Sequence, residues 1–328
     1  MENEEKIEKE YKILSCSEPV DEAKQILDEV GTLLVEENLS RGELLQKIDS
    51  YDAILAGSTI EYDDFLFERA GGKLKIVSRV GVGYDNVDVE AATKHGVMVT
   101  NTPGVMAESV AEHAIMLMLA SAKNLVRADR ETREGEWKWG EYRGEELWNK
   151  TLGEIGLGRI GSNVARKARK GFGMRVLVHD PYVSESEVLE LGGKYEYLDS
   201  LLKESDIVNL NVPLTEETYH LLGEDELQKM KTSAILVNTS RGAVVNEKAL
   251  IKALKNGQIA KAGLDVLEQE PPEKENPLFE MDNVILTPHQ GSNTRNGVRR
   301  MFVEAAQCAA NALQGKKPKF LVNEKIWE

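Results

Sequence analysis

Residues 156–161 read Gly156-Leu157-Gly158-Arg159-Ile160-Gly161, and Asp180 follows nineteen residues after the last of these glycines. The surroundings restrict what such a run can become. Residues 151–155 read as a short strand, residues 160–169 have helical spacing, and residues 174–178 form a second apolar run with Asp180 just beyond its tip. Strand, glycine turn, helix and second strand make a parallel βαβ unit. In that unit Gly156 gives the tight turn, Gly158 lets the backbone approach a pyrophosphate, and Gly161 lets helix and strand pack closely. The helix start, at Arg159 and Ile160, offers N–H groups and a partial positive charge to phosphates. Asp180 can accept hydrogen bonds from both ribose hydroxyls and would repel a 2′-phosphate, so the expected cofactor is NAD rather than NADP. A G-x-G-x-x-G run alone is a weak signal; the strand, helix and acidic residue in register make it specific.

The place of the run in the chain adds a second constraint. More than 150 residues precede it, enough for a domain of their own, and 328 residues suit two domains with substantial cores. With 41 Lys and Arg against 56 Asp and Glu, the formal charge is −15. This argues against nonspecific binding to nucleic acid or to an anionic membrane, and an anionic substrate must be held by local positive groups. Cys16 and Cys308 are too few and too far apart for a disulfide framework, so a reducing cytoplasm is expected. Residues 1–10 are charged rather than apolar, so a frayed start without a secretory leader is expected. No run of about 18 apolar residues exists to span a bilayer.

From residue 12 onward, apolar and amphipathic segments alternate. Strands are expected near residues 12–15, 33–35, 53–56, 76–80 and 98–100, with helices at 21–29, 41–48, 62–70 and 89–94. A second series of strands follows the glycine run, at 207–211, 234–238, 263–266 and 284–286. Such alternation implies parallel sheets with helices on both faces. Residues 107–125 make a long helix, apolar on more than one side through Met116, Leu117, Met118 and Leu119, and expected to pack between domains or subunits. The last helix, residues 297–312, comes after the second series has ended, and its simplest place is back against the first domain. The expected fold class is therefore α/β with two doubly wound parallel-sheet domains. A Rossmann NAD-binding domain of residues 103–292 is inserted into a discontinuous, flavodoxin-like substrate domain of residues 1–102 and 293–328. No regulatory domain is expected beyond residue 328.

In doubly wound sheets, ligands bind beyond the carboxyl ends of the strands. Arg241 follows one expected strand in Asn238-Thr239-Ser240-Arg241-Gly242, Glu270 follows another after Leu264-Asp265-Val266-Leu267, and His289 closes Thr287-Pro288-His289 after a third. Reduction of a 2-oxo acid needs this trio. A guanidinium fork holds the carboxylate and the neighbouring carbonyl oxygen. An imidazolium gives that oxygen a proton as hydride arrives. A carboxylate on the other ring nitrogen favours the protonated imidazole near neutral pH. Each residue also has an ordinary structural alternative: Arg241 as a helix cap or bridge, Glu270 as a solvated residue before two prolines, His289 as a hydrogen-bonded loop histidine. Their order at three successive strand ends favours catalysis. His95, His113, His179 and His220 read as structural, with no second ligand at metal spacing, so no metal is expected.

On these residues the chain resembles the D-isomer-specific 2-hydroxyacid dehydrogenases, from about residue 76 to residue 296. The motifs are Arg79-Val80-Gly81-Val82-Gly83-Tyr84-Asp85-Asn86-Val87-Asp88, the Gly156–Gly161 run, Asn238 to Gly242, Leu264-Asp265-Val266 through Glu270-Pro271, and Thr287-Pro288-His289. The resemblance implies NAD-dependent interconversion of a D-2-hydroxy acid and its 2-oxo acid, with Arg241, Glu270 and His289 as the active site. It implies that Val82 and Gly83 present backbone N–H groups to the substrate carboxylate, and that Asp265 holds the nicotinamide carboxamide. It also implies that Thr102, Val212 and Thr239 line the cofactor, with Ser240 and Gly291 beside them. The helix from Ala107 would contribute to a homodimer interface. Domain closure would hinge near residues 101–104 and 291–294.

Arg79 is the main substrate hint. Phosphoglycerate dehydrogenases of the family carry Arg here, where it could meet a phosphate, yet glyoxylate-, hydroxypyruvate- and ketogluconate-reducing relatives can share it. The lean is slightly toward 3-phosphoglycerate, although the loop at residues 135–143, with Trp137 and Trp139, lacks the basic stretch expected for phosphate. Those tryptophans could cover the active site or pack on the surface. Two other readings are an NADH-sensing corepressor, which needs disordered flanks scarcely present here, and a formate dehydrogenase, against which Glu270 beside His289 argues. Glu154 departs from the pattern, standing where relatives usually carry an apolar residue. A central parallel strand is buried on both faces. An unpaired carboxylate there would be costly or forced to stay protonated, so Glu154 is expected to weaken stability or cofactor binding.

Overall fold

The computed structural model describes residues 11–328, so the expectations for the first ten residues lie outside the described residues. The chain divides into two compact units, one running to Met106 and taking in Thr294–Glu328, the other Ala107–Asn293.

The first unit holds strands β1 (Tyr11–Ser15), β2 (Gly31–Val35), β3 (Ala53–Ala56), β4 (Ile76–Arg79) and β5 (Met98–Thr100). All pair in parallel in the order β2-β1-β3-β4-β5, which is the flavodoxin-like order. Side-chain alternation decides the two faces. Ile13, Ala53, Leu55 and Ile76 pack against α1 (Asp21–Asp28) and the last helix, Arg295–Leu313, through Ala23, Leu27, Phe302 and Ala306. Their neighbours Leu14, Ile54, Ala56 and Val77 face the other way, toward Leu44 of α2 (Arg41–Leu45), Leu66 and Phe67 of α3 (Asp64–Arg69) and Ala91 and Ala92 of α4 (Val89–Lys94). Each fully buried Leu or Ile in these layers contributes roughly 1.5–3 kcal/mol. Helix starts follow their caps: Asp63 accepts from Leu66 N and Asp88 from Ala91 N. The expected helix at 62–70 therefore starts later, because Asp63 is its cap and Tyr62 bridges to Val87.

The second unit holds helices α5 (Ala107–Ala122), α6 (Leu125–Arg133), α7 (Arg159–Phe172), α8 (Glu185–Glu190), α9 (Leu198–Glu204), α10 (Glu224–Lys229) and α11 (Glu247–Lys255). Its strands are β6 (Thr151–Ile155), β7 (Arg175–His179), β8 (Lys194–Tyr195), β9 (Ile207–Leu210), β10 (Ile235–Asn238), β11 (Lys261–Leu264) and β12 (Val284–Leu286). They form one parallel sheet in the order β12-β11-β10-β9-β6-β7-β8, so every carboxyl end lies along one edge. The order reverses between β6 and β9, the switch point at which such sheets bind ligands. Leu152, Val176, Val178 and Val237 pack on Ala114 and Leu117 of α5 and Val164 and Ala168 of α7. Ile155, Leu177, Leu210 and Leu236 face Leu201 of α9, Leu227 of α10 and Leu250 of α11.

The helix expected at 107–125 is two helices. Asn124 adopts a left-handed conformation (φ 54°) and turns the chain into α6, which buries no residue. The apolar sides of α5 are used within its own unit, against α7, β10, β11 and β12. Among the described residues no helix is long and apolar enough to cross a membrane.

Candidate active site

The turn after β6 is built by steric necessity. A Cβ on Gly161 would stand 2.0 Å from the Gly156 carbonyl oxygen, and one on Gly156 (φ +91°) would stand 2.4 Å from the Asn211 oxygen and 2.8 Å from Val212 Cγ1. A Cβ on Gly158 would meet nothing within 4 Å, so the turn is open on that side. The first turn of α7 contains Arg159 and Ile160 and has no side-chain cap, leaving N–H groups for an anion. Asp180 is held at the end of β7 by Leu157 N (2.7 Å, to Oδ2) and Tyr182 N (2.9 Å, to Oδ1), with lone pairs to spare. Val212 follows β9 and walls the turn. Past β10, Ser240 donates from N (3.0 Å) and Oγ (2.8 Å) to Asn238 Oδ1, while the buried Thr239 Oγ1 has no partner. In the first unit the buried Thr102 Oγ1 is likewise without one. An open turn, an uncapped helix start, a carboxylate at the next strand tip and an unmet buried hydroxyl at the same sheet edge fit a dinucleotide.

Arg241, Glu270 and His289 follow β10, β11 and β12, which are neighbours in the sheet, so their loops are neighbours too. The turn after Arg241 presses on the loop that carries Glu270: a Cβ on Gly242 would fall 1.9 Å from the Leu267 carbonyl carbon. Asn238 Nδ2 donates to the Arg241 oxygen (2.9 Å), and Arg241 Nη1 donates to the Ser240 oxygen (2.8 Å). Glu270 Oε2 lies 2.7 Å from His289 Nδ1, and its Oε1 accepts from Leu267 N at 3.0 Å. Burial pushes the Glu270 carboxyl up. The hydrogen bond and charge of His289, with Leu267 N–H and the Arg241 charge, outweigh that push and hold it below the ordinary range. Glu270 is thus ionised at neutral pH. With Nδ1 occupied, Nε2 of the partly exposed His289 is the nitrogen left for a substrate.

His289 has a left-handed backbone (φ 51°), a strained state costing of order 1–3 kcal/mol for such a residue. Asp265 maintains it. His289 N donates to the Asp265 main-chain oxygen (2.8 Å), while the Asp265 carboxylate accepts from Gln290 N (2.9 Å), Gly291 N (2.8 Å) and Thr287 Oγ1 (2.5 Å). His113 Nε2 of α5 approaches Asp265 Oδ1 (3.2 Å) and Thr287 Oγ1 (2.9 Å). Burial pushes Asp265 up, but these four donors together hold it below the ordinary range. His113, read from sequence as structural packing, and Thr287, not singled out there, both belong to the support of the His289 loop. The loop at residues 135–143 extends outward, with Trp137 and Trp139 84 % and 90 % exposed.

In the first unit, Arg79 ends β4 and is buried. Its Nη1 donates to the Val80 oxygen (2.6 Å) and the Ala56 oxygen (3.4 Å). The following carbonyls are tied in turn, Gly81 to Thr102 N (2.9 Å) and Val82 to Asn101 Nδ2 (2.7 Å). The N–H groups of Val82 and Gly83 have no acceptor among the described residues.

Glu154 is fully buried, as expected of a central parallel strand, and is hydrogen-bonded rather than unpaired. Asn209 Nδ2 donates to both carboxyl oxygens (3.1 and 2.9 Å) and Asn211 Nδ2 to Oε1 (2.7 Å). Burial pushes the carboxyl well above its ordinary range, the two amides offsetting only part of the effect. Of the other histidines, His95 pairs with Asp64 (2.8 Å), His220 with Glu268 (2.8 Å), and His179 Nδ1 lies 3.1 Å from the Glu196 oxygen. Among the described residues no cluster of three or more metal-ligating side chains occurs.

Comparison with known proteins agrees with this geometry. Residues 115–291 match the D-isomer specific 2-hydroxyacid dehydrogenase, NAD binding domain family. A glyoxylate reductase of Korarchaeum cryptofilum is 48 % identical over 291 residues, covering 88 % of this chain and 87 % of the relative. A D-3-phosphoglycerate dehydrogenase of Methanocaldococcus jannaschii is 42 % identical over 95 % of this chain and 59 % of its own length. The crystal structure of a glyoxylate reductase from Paecilomyes thermophila superposes with a TM-score of 0.87 at 33 % identity, covering 96 % of this chain and 99 % of that one. Profile, relatives and fold agree: the chain belongs to the D-isomer-specific 2-hydroxyacid dehydrogenase family and is an NAD-dependent enzyme.

Proposed function

We propose that the enzyme reduces a small, unphosphorylated 2-oxo acid of the glyoxylate and hydroxypyruvate class to the 2-hydroxy acid. The observation that carries the substrate choice is Arg79. The sequence offers it as a residue that could meet a phosphate; its buried guanidinium donates through Nη1 to the Val80 and Ala56 carbonyls, which supports reading it as a brace for the loop of Val82 and Gly83. The higher identity to a glyoxylate reductase supports the same reading.

Bound NADH supplies a hydride to the carbonyl carbon. Arg241 grips the carboxylate and carbonyl oxygen of the substrate with its planar fork. Val82 and Gly83 offer their N–H groups to the carboxylate. His289 gives a proton from Nε2 to the carbonyl oxygen, and Glu270, on Nδ1, orients the ring and balances its charge. The N–H groups of Arg159 and Ile160 would hold the pyrophosphate of the cofactor and Asp180 its ribose, with Val212, Thr239, Ser240 and Gly291 lining it and Thr102 added by the family resemblance, while Asp265 acts chiefly through the His289 loop. A Thr239→Val variant is expected to bind NADH about fivefold more weakly, since a hydrogen bond of roughly 1 kcal/mol is lost; fluorescence titration checks this.

The deciding experiment is NADH oxidation with glyoxylate, hydroxypyruvate, pyruvate, 2-ketogluconate and phosphohydroxypyruvate, with NADPH in parallel. The highest kcat/KM for glyoxylate or hydroxypyruvate is expected; a preference for phosphohydroxypyruvate would overturn the proposal. Arg79→Ala sharpens the test. As a brace, Arg79 should affect all these substrates alike, with losses of about three- to fivefold in kcat/KM, within the ~1 kcal/mol of a hydrogen bond. A loss confined to the phosphorylated acid would return Arg79 to phosphate binding. The exposed Leu125, Val126, Trp137, Trp139 and Phe279 support the homodimer implied by the family resemblance, which light scattering tests. The free thiols Cys16 and Cys308 support a reducing, cytoplasmic setting.

A further inference from the structure

Beneath the dinucleotide turn lies a buried polar cluster that the reaction does not use. Glu154 pairs directly across the sheet with Asn209, at the switch point between β6 and β9. Its Oε1 stands 2.9 Å from where a Cβ on Gly161 would be, directly under the first turn of α7. The same oxygen accepts from Asn211, whose main-chain oxygen packs against Gly156 and whose successor, Val212, walls the turn. One carboxyl group therefore joins the end of β6, the end of β9 and the start of α7, the three pieces of protein that form the turn.

The cluster holds two buried acceptors open to a proton that only a neutral carboxyl carries. The amide nitrogens of Asn209 and Asn211 point to the carboxyl, while the oxygens of both amides are buried without a partner. A neutral carboxyl carries the one proton that, with rotation of an amide, fills such an acceptor; a carboxylate can only accept. Nothing charged compensates an ionised form. Glu154 is met by Asn209 and Asn211 from β9, by Gly161 from α7, and by its register partner Val178 from β7. Arg159 on α7 and His179 and Asp180 at the end of β7 are the ionisable residues closest to it along those elements, and only the two amides act on its titration besides burial.

We infer that this cluster is a proton-linked support for the cofactor: the turn takes up NADH with Glu154 neutral, and loss of that proton weakens binding. A carboxylate under the first turn of α7 sets a like charge against the pyrophosphate and competes for the same helix N-terminus. By linkage, bound NADH holds the proton on Glu154. The inference rests on the placement of the pyrophosphate at α7 proposed above.

NADH titrations from neutral to strongly alkaline pH, on wild type, E154Q and G158V, separate the two. Glutamine keeps the size and the polar contacts and removes the titration. In wild type the Kd for NADH should rise at least about tenfold across the alkaline limb, the effect of a like charge as far off as about 12 Å at an effective dielectric near 20. In E154Q it should stay within about twofold of its neutral value on the same basis. Parallel profiles for wild type and E154Q would overturn the inference. G158V puts a side chain on the open side of the turn, where its Cβ would meet nothing within 4 Å, so it should abolish binding with Tm little changed; undiminished binding would instead overturn the pyrophosphate placement. Thermal unfolding gives an independent reading. A carboxyl whose folded value is raised lends stability below the unfolded value of about 4.3, and that stability is lost as pH rises toward the folded one. The Tm of E154Q should therefore gain on wild type with rising pH. A constant difference would count against a neutral Glu154, and a widening one with parallel binding profiles would overturn the link to NADH.

Discussion

His289→Ala is expected to lower kcat for reduction about a thousandfold, inside the range of 10²–10⁴ typical of a lost general acid, while the Kd for NADH changes by less than about twofold. Nδ1 of His289 is taken by Glu270, so Nε2 is the donor, and the residues that form the dinucleotide turn lie on other loops. The truncation has one structural side effect to control. His289 sits at φ 51°, where alanine is strained, although its N–H bonds to Asp265 and Thr287 belong to the backbone and survive the change. His289→Asn is the companion variant, since asparagine tolerates the left-handed region. Both should lose turnover to a similar degree if the imidazole proton is what matters. Recovery of activity in the asparagine variant to within tenfold of wild type would show that loop geometry, not proton donation, was lost.

The reach of sequence reasoning can be seen in which partners were near along the chain. Strands β3, β5, β6 and β12 stand where apolar runs put them, because a buried parallel strand needs only local apolar residues to declare itself. Arg241, Glu270 and His289 were legible because each follows such a run, and a parallel sheet carries all its strand ends to one edge. What failed depended on distant partners or on none. Helix α6 buries nothing, so no apolar stripe announced it. The two amide donors of Glu154 were not visible because they are 55 and 57 residues away. His113 looked like packing because Thr287, its partner, is 174 residues distant. The contacts of Arg79 with Val80 and Ala56 were not visible either, because charge in a sequence shows no direction. The family resemblance points to Arg241, Glu270 and His289 but says nothing of how the strained His289 is held, a task that falls to Asp265.

Glu270→Gln tests the remaining member of the trio through pH rather than through loss of turnover. Glutamine keeps the length of the side chain and a hydrogen-bonding group for His289 Nδ1, and removes the charge. Burial alone would raise the Glu270 carboxyl; the His289 hydrogen bond and charge, Leu267 N–H and Arg241 reverse this and leave it depressed. As pH falls through the depressed Glu270 carboxyl, wild type loses the negative charge that balances the imidazolium, so its reduction rate should fall along an acid limb. The glutamine variant has no such charge to lose, and that limb should be absent from its profile. Above the limb the variant should be roughly 10- to 100-fold slower in reduction, and the two profiles should converge as pH falls through it. The effect on stability runs through the depressed Glu270: its contribution is present above the unfolded carboxylate value and lost as pH falls through the folded one. With the side chain more than a third exposed, solvent screening keeps that contribution small, so Tm should hardly move. Loss of the acid limb together with convergence at low pH distinguishes the charge of Glu270 from its position. A uniform fall in kcat at every pH, with the acid limb still present, would mean that Glu270 only places the ring.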